Sequence, residues 1–307
     1  MVSIVIVNWN SGEFLERCVR SLLKNAAGSE IVIVDNDSSD SSLRFAEDVQ
    51  NLKVLHNSSN LGFAAANNIG WRAAIGARVL FLNPDTECFP ESVNRLEQTL
   101  AADNGIWAAG GQLVSLSGQP QTRYSARFPS SGSVAAEMLF IDEIWPSNPW
   151  SAPIRPDSSV REMDVDQPAA ACLMVSRKAL EKIEGFDEEF RPAWFEDVDL
   201  CRRIRNQGGR IRFQPQALFL HHGGYSLQQL SRQEFLESFY RNQIRYFHKH
   251  HGSHAARRVQ RLISMGLFIR SAVSMIHSLA PGESRTASAG IFWRAARRIS
   301  RSQKAAS

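Results

Sequence analysis

Acidic residues follow apolar runs of the sequence at the points where the runs end. Asp35 and Asp37 come directly after Val32-Ile33-Val34, and Asp85 follows another apolar run through Asn83-Pro84. Because proline lacks a backbone N–H and stops strand pairing, we expect Asp85 to be presented just beyond its strand. Carboxylates gathered at one edge of a sheet suit a hard divalent cation, which in turn suits phosphates. Asp37 has a second interpretation, as the cap of a following helix.

A second group of acids, Glu196, Asp197 and Asp199, comes directly after the aromatic pair Trp194-Phe195. Acids at the start of a helix are favoured by the helix dipole, and that structural role alone would explain them. A carboxylate that aromatic side chains shield from water has its pKa raised towards neutrality, as a general base requires. The segment therefore predicts either a helix start or a catalytic base.

A histidine pair, His221-His222, stands between an apolar run and the glycines Gly223-Gly224. A single histidine usually has a structural role, but one at the end of a strand can reach a metal ion. His221 is therefore a candidate metal ligand.

The first part of the chain alternates between β-branched apolar runs and segments with helical spacing. This alternation predicts a doubly wound, mostly parallel α/β sheet, in which ligands lie beyond the carboxyl ends of the strands. The polar residues after Val7, Val34 and Leu82 should then share one edge. The predicted order is strand 3–7, helix 12–24, strand 30–34, helix 41–50, strand 52–55, helix 67–75 and strand 79–82.

The remainder of the chain is less regular. Residues 116–165 are rich in Pro, Ser and Gly, which indicates a variable loop or lid with a short helix near 134–141. We expect one α/β domain over residues 1–227, with halves 1–115 and 166–227, and a helical extension over 228–307. The later predicted elements are strand 170–175, helix 177–183, helix 195–206, strands 210–213 and 217–220, and helices from Arg232 onward.

Charge is distributed unevenly along the chain. The net charge is +4, but residues 241–307 hold 13 Lys and Arg against Glu283 alone, so the preceding part is acidic. A basic segment on an acidic body indicates an anionic partner, and a solvated segment without a partner is the alternative. Basic residues at both ends of this segment are Arg257, Arg258, Arg261, Arg294, Arg297, Arg298 and Arg301.

Apolar residues of the same segment recur on one helical face, namely Leu262, Met265, Phe268, Ile269, Ala272, Val273 and Ile276. This pattern is typical of a helix on an anionic membrane surface and not of nucleic-acid binding. A helix that packs this face against the catalytic domain would have the same periodicity.

Several common motifs are absent from the sequence. No GxGxxG follows the first predicted strand, and neither GxxxxGK[ST] nor GxSxG occurs, which argues against dinucleotide, P-loop and common hydrolase sites. Neither a secretory leader nor an uninterrupted apolar run of about 18 residues is found, so we expect a cytoplasmic protein that lies on the inner face of the membrane without spanning it. The cysteines, which form no CxxC pair and fit a reducing compartment, are Cys18, Cys88, Cys172 and Cys201.

The segments described above, in their order, resemble the motifs of the family 2 glycosyltransferases. The Asn-Pro-Asp-Thr form at 83–86, where the wider family has Asp-x-Asp, and residues 240–252 are similar to the rhamnosyltransferase-like branch. The matching segments are Ile6–Asn10, Val34–Asp40, Asn60–Gly70, Leu82–Thr86, Gly185–Phe190, Phe195–Leu200 and His221–Ser226.

The resemblance implies a GT-A fold and the inverting transfer of a sugar from a nucleotide-diphosphate donor, with dTDP-rhamnose as a candidate. The acceptor would be a glycan or a polyprenyl-linked intermediate of cell-surface polysaccharide synthesis. By motif position, the donor would be held by Val7, Trp9, Asp35, Asp37, Asn60, Gly62, Asn67, Asn83 and Asp85.

The same resemblance implies roles for the acids and the histidine. Asp85 and His221 would bind Mg²⁺ or Mn²⁺, although Asn83 leaves one acidic ligand fewer than in the wider family. Asp197 would be the general base with Glu196 beside it, and Trp194 would lie near the acceptor.

Two other functions remain open at the level of sequence. A sugar-phosphate nucleotidyltransferase has a similar sheet, although Asn8–Gly12 stands where those enzymes carry a glycine- and arginine-rich loop. The other alternative is a protein without enzymatic activity that binds a membrane or nucleic acid through its basic segment.

Overall fold

The computed structural model describes residues 1–49, 52–121, 125–150, 162–168, 170–223, 230–278 and 286–301. The chain forms two compact units. The first comprises Met1–Phe128 and Pro153–Ser226, and the second comprises Pro129–Ala152 and Leu227–Ser307. The predicted site residues all belong to the first unit, and the basic C-terminal segment belongs to the second.

Strands and helices alternate over most of the first unit, and the second unit is helical. The elements of both units are numbered together in chain order. The strands are β1 (Val2–Asn8), β2 (Glu30–Asp35), β3 (Leu52–His56), β4 (Arg78–Leu82), β5 (Thr86–Cys88), β6 (Ile106–Val114), β7 (Ser125–Ala126), β8 (Met163–Asp164), β9 (Gln167–Pro168), β10 (Cys172–Ser176) and β11 (Arg210–His221). The helices are α1 (Glu13–Asn25), α2 (Phe63–Ala73), α3 (Ser92–Ala102), α4 (Ser131–Met138), α5 (Ile141–Ile144), α6 (Arg177–Ile183), α7 (Glu196–Asn206), α8 (Arg232–Ser278) and α9 (Thr286–Arg301).

A nine-stranded sheet forms the centre of the first unit, in the order β3-β2-β1-β4-β10-β6-β11-β5 with β8 beside β11. β1 to β4 pair in parallel, as do β6 and β11. β10 runs antiparallel to both β4 and β6, so the strands on its two sides share one direction. The predicted mostly parallel α/β sheet is confirmed. The carboxyl ends of β1, β2, β4, β6 and β11 therefore lie at the same edge.

Apolar side chains of the central strands face both sides of the sheet. Ile4 and Ile6 of β1 belong to the core covered by α1 and α3. Val5 and Val7 belong to the core covered by α2, α6 and α7. A strand buried on both faces needs a continuous apolar run, and this explains why the sequence of β1 shows no alternation.

Some predicted elements differ from those observed. Residues 41–50 form only a short 3-10 segment, Arg44–Asp48, since Ser42 and Asp40 bond to each other and Asp40 accepts from the backbone of Gly12. Such side-chain bonds compete with helix formation. The strands predicted at 210–213 and 217–220 join into β11, with a shift in register between Gln214 and Leu218.

The second unit is helical, and α8 bends sharply at Gly252, where φ is 80° and ψ is 171°. Glycine adopts this conformation without the steric cost that a Cβ imposes. Both arms of α8 contact α9: Glu237 of the first arm pairs with Arg298, and Gln260 of the second donates to the carbonyl oxygen of Ile299. The result is a bundle of three helical segments.

Part of the predicted loop 116–165 is helical and belongs to this bundle. α4 and α5 replace the single short helix expected near 134–141. Arg270 of α8 donates to the carbonyl oxygens of Glu137 and Met138 at the end of α4. Within the described residues, one helix, Arg232–Ile276, is long and apolar enough to cross a bilayer, and 39% of its most apolar window is buried.

Candidate active site

The ends of β1 and β2 are joined by a network of polar side chains. Nδ2 of Asn8 lies 2.9 Å from Oδ1 of Asp35, 3.0 Å from Oγ of Ser38 and 2.9 Å from Oγ of Ser42. Oδ2 of Asp35 accepts from the backbone of Ser38 and lies 3.5 Å from Nδ1 of His56. Because Asp35 is buried, these partners fix its carboxylate at the sheet edge.

Asparagines tie the end of β2 to the segment before α2. The side chain of Asn36 donates to Oδ1 of Asn60 and accepts from Asn57 and from the backbone of Leu61. Oδ1 of Asn60 also accepts from the backbone of Gly62 over 2.9 Å. The predicted donor residues Asn60 and Gly62 are therefore held against β2.

Helix α2 begins in a constrained position at Gly62. Its φ is 86°, and an added Cβ would lie 2.8 Å from the carbonyl oxygen of Pro192. The backbone N–H of Phe63 donates to the same oxygen over 2.8 Å, and buried Asn67 donates to the carbonyl of Phe63. This explains why α2 starts earlier than the predicted residue 67.

Asp85 and His221 face each other across two paired strands. The antiparallel pairing of β5 with β11 places His221 opposite Thr86, and the backbone of His222 donates to the carbonyl oxygen of Asp85. Oδ1 of Asp85 lies 3.5 Å from Nε2 of His221, and both side chains are buried. Oδ1 of Asp85 has no hydrogen-bond partner. The two predicted metal ligands are thus adjacent.

Gln121 and Glu87 hold the two histidines. Nδ1 of His221 lies 2.9 Å from Oε1 of Gln121, whose Nε2 donates to the carbonyl oxygen of His221 over 2.8 Å. Nε2 of His222 lies 2.8 Å from Oε1 of Glu87. Burial lowers the pKa of His221, Asp85 opposes this shift, and His222 adds to it.

The acid pair begins α7 after an unusual backbone turn. Trp194 has a φ of 75° and Phe195 a φ of 73°. Bulky residues rarely adopt this left-handed conformation, and such strain concentrates at functional sites. The turn directs the chain into α7, so that Glu196 and Asp197 occupy its first turn.

The members of this pair have different surroundings. Glu196 is buried and its Oε2 has no hydrogen-bond partner, so burial, with the charge of Asp197, raises its pKa well above the usual value. Asp197 is only partly buried and accepts backbone N–H groups of Ala170 and Val198, at 3.1 and 2.8 Å. Burial raises the pKa of Asp197 too, but these bonds oppose the shift. Asp197 therefore ionises more readily.

The other predicted residues are placed as follows. Val7 is buried, Trp9, Asn83 and Trp194 are partly exposed, and Asp37 and Asn60 are exposed. Gly224–Ser226 of the last motif lie outside the described residues. In the ranges that the structure describes, no group of at least three His, Cys, Asp or Glu side chains is arranged to hold a metal ion. Asp85 and His221 fit a divalent ion as a two-residue set completed by other oxygen ligands.

Sequence reasoning did not identify Asn8, Gln121 or Asn68 as site residues. Asn8 lies within the quoted motif and could have been found, because it is a polar residue that ends a buried strand. Asn68 contacts Phe186, Glu188 and Trp71 through both ends of its side chain, and so joins α2 to the loop before the acid pair.

Comparison with known proteins identifies the class. The sequence model of the family described as Glycosyl transferase family 2 matches residues 3–160. An N-acetylglucosaminyl-diphospho-decaprenol L-rhamnosyltransferase from Mycobacterium tuberculosis is 28% identical over 242 residues, which cover 74% of this chain and 77% of that protein.

Two solved structures share the fold. GalNAc-T7 with UDP, GalNAc and Mn²⁺ superposes with a TM-score of 0.59 at 20% identity, over 73% of this chain and 43% of that one. The mannosyltransferase PcManGT from Pyrobaculum calidifontis, in complex with GDP-Man and Mn²⁺, superposes with a TM-score of 0.58 at 14% identity, over 98% of this chain and 87% of that one.

The family match, the relatives and the shared fold make the protein a glycosyltransferase of the GT-A fold. The chain belongs to glycosyl transferase family 2, and its similarity to the mycobacterial enzyme assigns it to the rhamnosyltransferase-like branch. This assignment decides against the nucleotidyltransferase and the protein without enzymatic activity.

Proposed function

We propose that the protein is an inverting glycosyltransferase that moves a sugar from a nucleotide-diphosphate donor to a lipid-linked or glycan acceptor. The observation that carries this proposal is the connection of two acidic centres at one sheet edge. The backbone N–H of Asn83, just before Asp85, donates to the carbonyl oxygen of Ala171, and the neighbouring Ala170 donates to Asp197. One short segment thus links a candidate cation site to a candidate base.

The donor would lie along the ends of β1, β2 and α2. Asp35, fixed by Asn8, would bind the nucleobase together with Val7, Trp9 and Asp37. Asn60, Gly62 and Asn67 would frame the phosphates, as their positions in the family motif imply. Ligands of open α/β sheets bind at this edge.

Asp85 and His221 would hold Mg²⁺ or Mn²⁺, with Asn83 close by. The donor set supports this, since the buried Oδ1 of Asp85 has no hydrogen-bond partner and faces an imidazole nitrogen. A divalent ion supplies charge neutralisation to the departing diphosphate. The chain's own contribution is to hold the carboxylate and the imidazole in fixed positions.

Asp197 would remove the proton from the acceptor hydroxyl, and the oxygen would then displace the nucleoside diphosphate at the anomeric carbon. Such a single displacement inverts the anomeric configuration. Glu196 would stay protonated beside it, because burial and the charge of Asp197 raise its pKa well above the usual value. Trp194 would offer an aromatic surface to the acceptor.

The relative from Mycobacterium tuberculosis suggests the substrates. Its name describes rhamnosyl transfer to N-acetylglucosaminyl-diphospho-decaprenol. By analogy we propose dTDP-rhamnose as the donor and a polyprenyl-diphosphate-linked sugar as the acceptor, in polysaccharide synthesis.

The experiment that tests this function is a donor panel. We expect dTDP-rhamnose, with Mn²⁺ or Mg²⁺, to raise the melting temperature and to be slowly hydrolysed. UDP-sugars and GDP-mannose serve as comparisons. Stabilisation by a different nucleotide sugar would assign that sugar as the donor. No response to any nucleotide sugar of the panel would contradict the proposed function.

A lipid-linked acceptor requires access to a membrane, and the second unit supports a peripheral position on the cytoplasmic face. α8 buries Val259, Ile263 and Leu267, whereas Met265, Val273 and Ile276 of the predicted face are exposed. The further exposed apolar residues Met275 of α8 and Trp293 of α9 were not predicted. We call these five residues the apolar zone.

Exposed arginines lie on the same two helices as the apolar zone, α8 and α9. Arg270, which interrupts the apolar stretch in the sequence, donates to carbonyl oxygens of α4. Arg257, Arg258, Arg261, Arg297 and Arg301 are exposed, and we call them the basic zone. Each basic residue near an anionic bilayer contributes about 1 kcal/mol, so this zone favours anionic lipid over a neutral surface.

A further inference from the structure

Gln121 contacts His221 at two points. Oε1 of Gln121 lies 2.9 Å from Nδ1 of the imidazole, and Nε2 of Gln121 donates to the backbone carbonyl oxygen of the same histidine over 2.8 Å. The backbone N–H of Gln121 donates to the carbonyl oxygen of Leu113 at the end of β6, which fixes the position of the glutamine.

The carbonyl contact determines which way the amide points. A backbone carbonyl oxygen can only accept, so the NH₂ group of Gln121 must face it and Oε1 must face the imidazole. An amide oxygen is likewise only an acceptor. The imidazole nitrogen opposite it, Nδ1, must therefore carry a proton, which it donates to Oε1.

A neutral imidazole carries one proton, so protonation at Nδ1 leaves a lone pair at Nε2. Nε2 is the nitrogen that faces Asp85, at 3.5 Å from Oδ1. In this tautomer a carboxylate oxygen and a lone-pair nitrogen face each other, which is an arrangement for a cation. In the other tautomer, Nε2–H would point at Oδ1, and the two groups could satisfy each other without a metal.

We propose that Gln121 is a positioning residue that holds His221 in the Nδ1–H tautomer, so that Nε2 and Asp85 together bind the divalent ion of the transferase. This inference rests on the metal site of the proposed function. Partners of this kind, which hydrogen-bond the outer nitrogen of a histidine ligand, typically change metal affinity by about 10- to 100-fold when they are removed.

The test uses the full chain with ¹⁵N-labelled histidine, without metal, at a pH where the imidazole is neutral. Two-dimensional NMR distinguishes Nδ1–H from Nε2–H, and a His221→Asn variant identifies the signals of His221. We expect Nδ1–H in the wild type. Gln121→Met, which keeps the size but removes both the acceptor and the NH₂ donor, should lose this preference.

Mn²⁺ affinity is then measured by electron paramagnetic resonance on the same variants. Gln121→Met should bind Mn²⁺ about 10- to 100-fold more weakly, with Gln119→Met, an exposed neighbour, as the matched control. A melting curve for each variant verifies folding. An Nε2–H signal in the wild type would overturn the proposal. A wild type with Nδ1–H that does not bind Mn²⁺ would contradict the metal site and leave the tautomer assignment intact.

Discussion

The backbone N–H of Ala170 donates a hydrogen bond to Oδ2 of Asp197 over 3.1 Å. The next residue, Ala171, accepts from the backbone of Asn83. These alanines directly precede β10, which is buried between β4 and β6. The carboxylate of Asp197 is therefore held by the centre of the sheet as well as by its own helix. A general base needs such a fixed position, because it must meet the acceptor oxygen in a precise geometry.

Replacing Asp197 with asparagine should remove the base while keeping the size of the side chain. We expect turnover to fall by about 10²- to 10⁴-fold, the range for loss of a positioned general base. Donor affinity should stay within about twofold, because the proposed donor contacts lie elsewhere. Steady-state kinetics and donor titration calorimetry measure the two effects.

The matched control is Glu181→Gln, which neutralises an exposed acid on α6. It should leave turnover unchanged. If Asp197→Asn retained full turnover, the base would have to be assigned to Glu196.

The pH profile should reflect the environment of Asp197. Burial raises the pKa of this carboxyl, and the N–H groups of Ala170 and Val198 limit the shift. Since only the ionised form accepts a proton, kcat/KM should fall as the pH falls through this raised pKa, and the acid limb should lie above the value of about 3.9 for a free aspartate. An acid limb at or below that value would contradict the proposed environment.

Glu196 should reduce stability at neutral pH. Burial and the charge of Asp197 raise its pKa well above the usual value, so between the unfolded and folded pKa values the folded chain binds a proton that the unfolded chain has released. Stability is therefore lost as the pH rises from about 4.3 towards the folded pKa. Glu196→Gln should melt a few degrees higher at pH 8 and no differently near pH 3.5, as scanning calorimetry can measure. Glu181→Gln is again the control, and a gain that did not depend on pH would refute this account.

The strands β1, β2 and β4 were predictable from sequence, whereas β6, which lies inside the sheet between β10 and β11, was not. β1, β2 and β4 are continuous apolar runs, which a strand buried on both faces requires. β6 contains Gly110 and Gly111, a pair that in isolation is typical of a loop. In the structure both positions require glycine, because Pro168 occupies the space of a Cβ at Gly110 and Ala217 the space of a Cβ at Gly111. That requirement comes from distant parts of the chain, so no local pattern could reveal it.

The residues of the candidate site also differ in whether the sequence alone could indicate them. Asp35, Asp85 and Asp197 were predictable because each follows a recognisable strand or aromatic pair. Gln121 was not, because it lies 100 residues from His221 and within a segment without periodicity. Only the folded sheet, which brings the ends of β6 and β11 together, assigns it a partner.

Removing the cation or its carboxylate should affect donor binding first. We expect Asp85→Ala to weaken binding of the nucleotide-sugar donor by at least about tenfold in the presence of Mn²⁺, and excess EDTA to inhibit the wild type. Donor titration calorimetry and activity assays provide the measurements. Glu91→Gln, an exposed acid shortly after β5, is the control. Full activity in EDTA would remove the metal from the mechanism.

Binding to anionic vesicles should depend on the basic zone. We expect the full chain to float with vesicles that contain phosphatidylglycerol and not with pure phosphatidylcholine. Replacing Arg257, Arg258 and Arg261 with alanine removes about 3 kcal/mol, or roughly a hundredfold in vesicle affinity. The charge-matched control is the triple alanine variant of Arg17, Arg20 and Lys24, which are exposed on α1. Equal loss in the two triple variants would mean that only total charge matters and would contradict a defined surface.

The apolar zone should contribute separately, because apolar side chains enter the boundary between headgroups and acyl chains. Ile276→Asp places a charge in that boundary and should reduce vesicle affinity by at least about tenfold, since a buried aliphatic side chain contributes roughly 1.5–3 kcal/mol. Ile75→Asp is the matched control, because Ile75 is 70% exposed and Ile276 is 67% exposed, and Ile75 lies in the other unit. High salt should weaken the binding of the wild type and of Ile276→Asp alike, since the basic zone is intact in both. If Ile276→Asp floated as well as Ile75→Asp, the apolar zone would have no part in docking, and attraction between the arginines and the lipid headgroups would have to account for all of it.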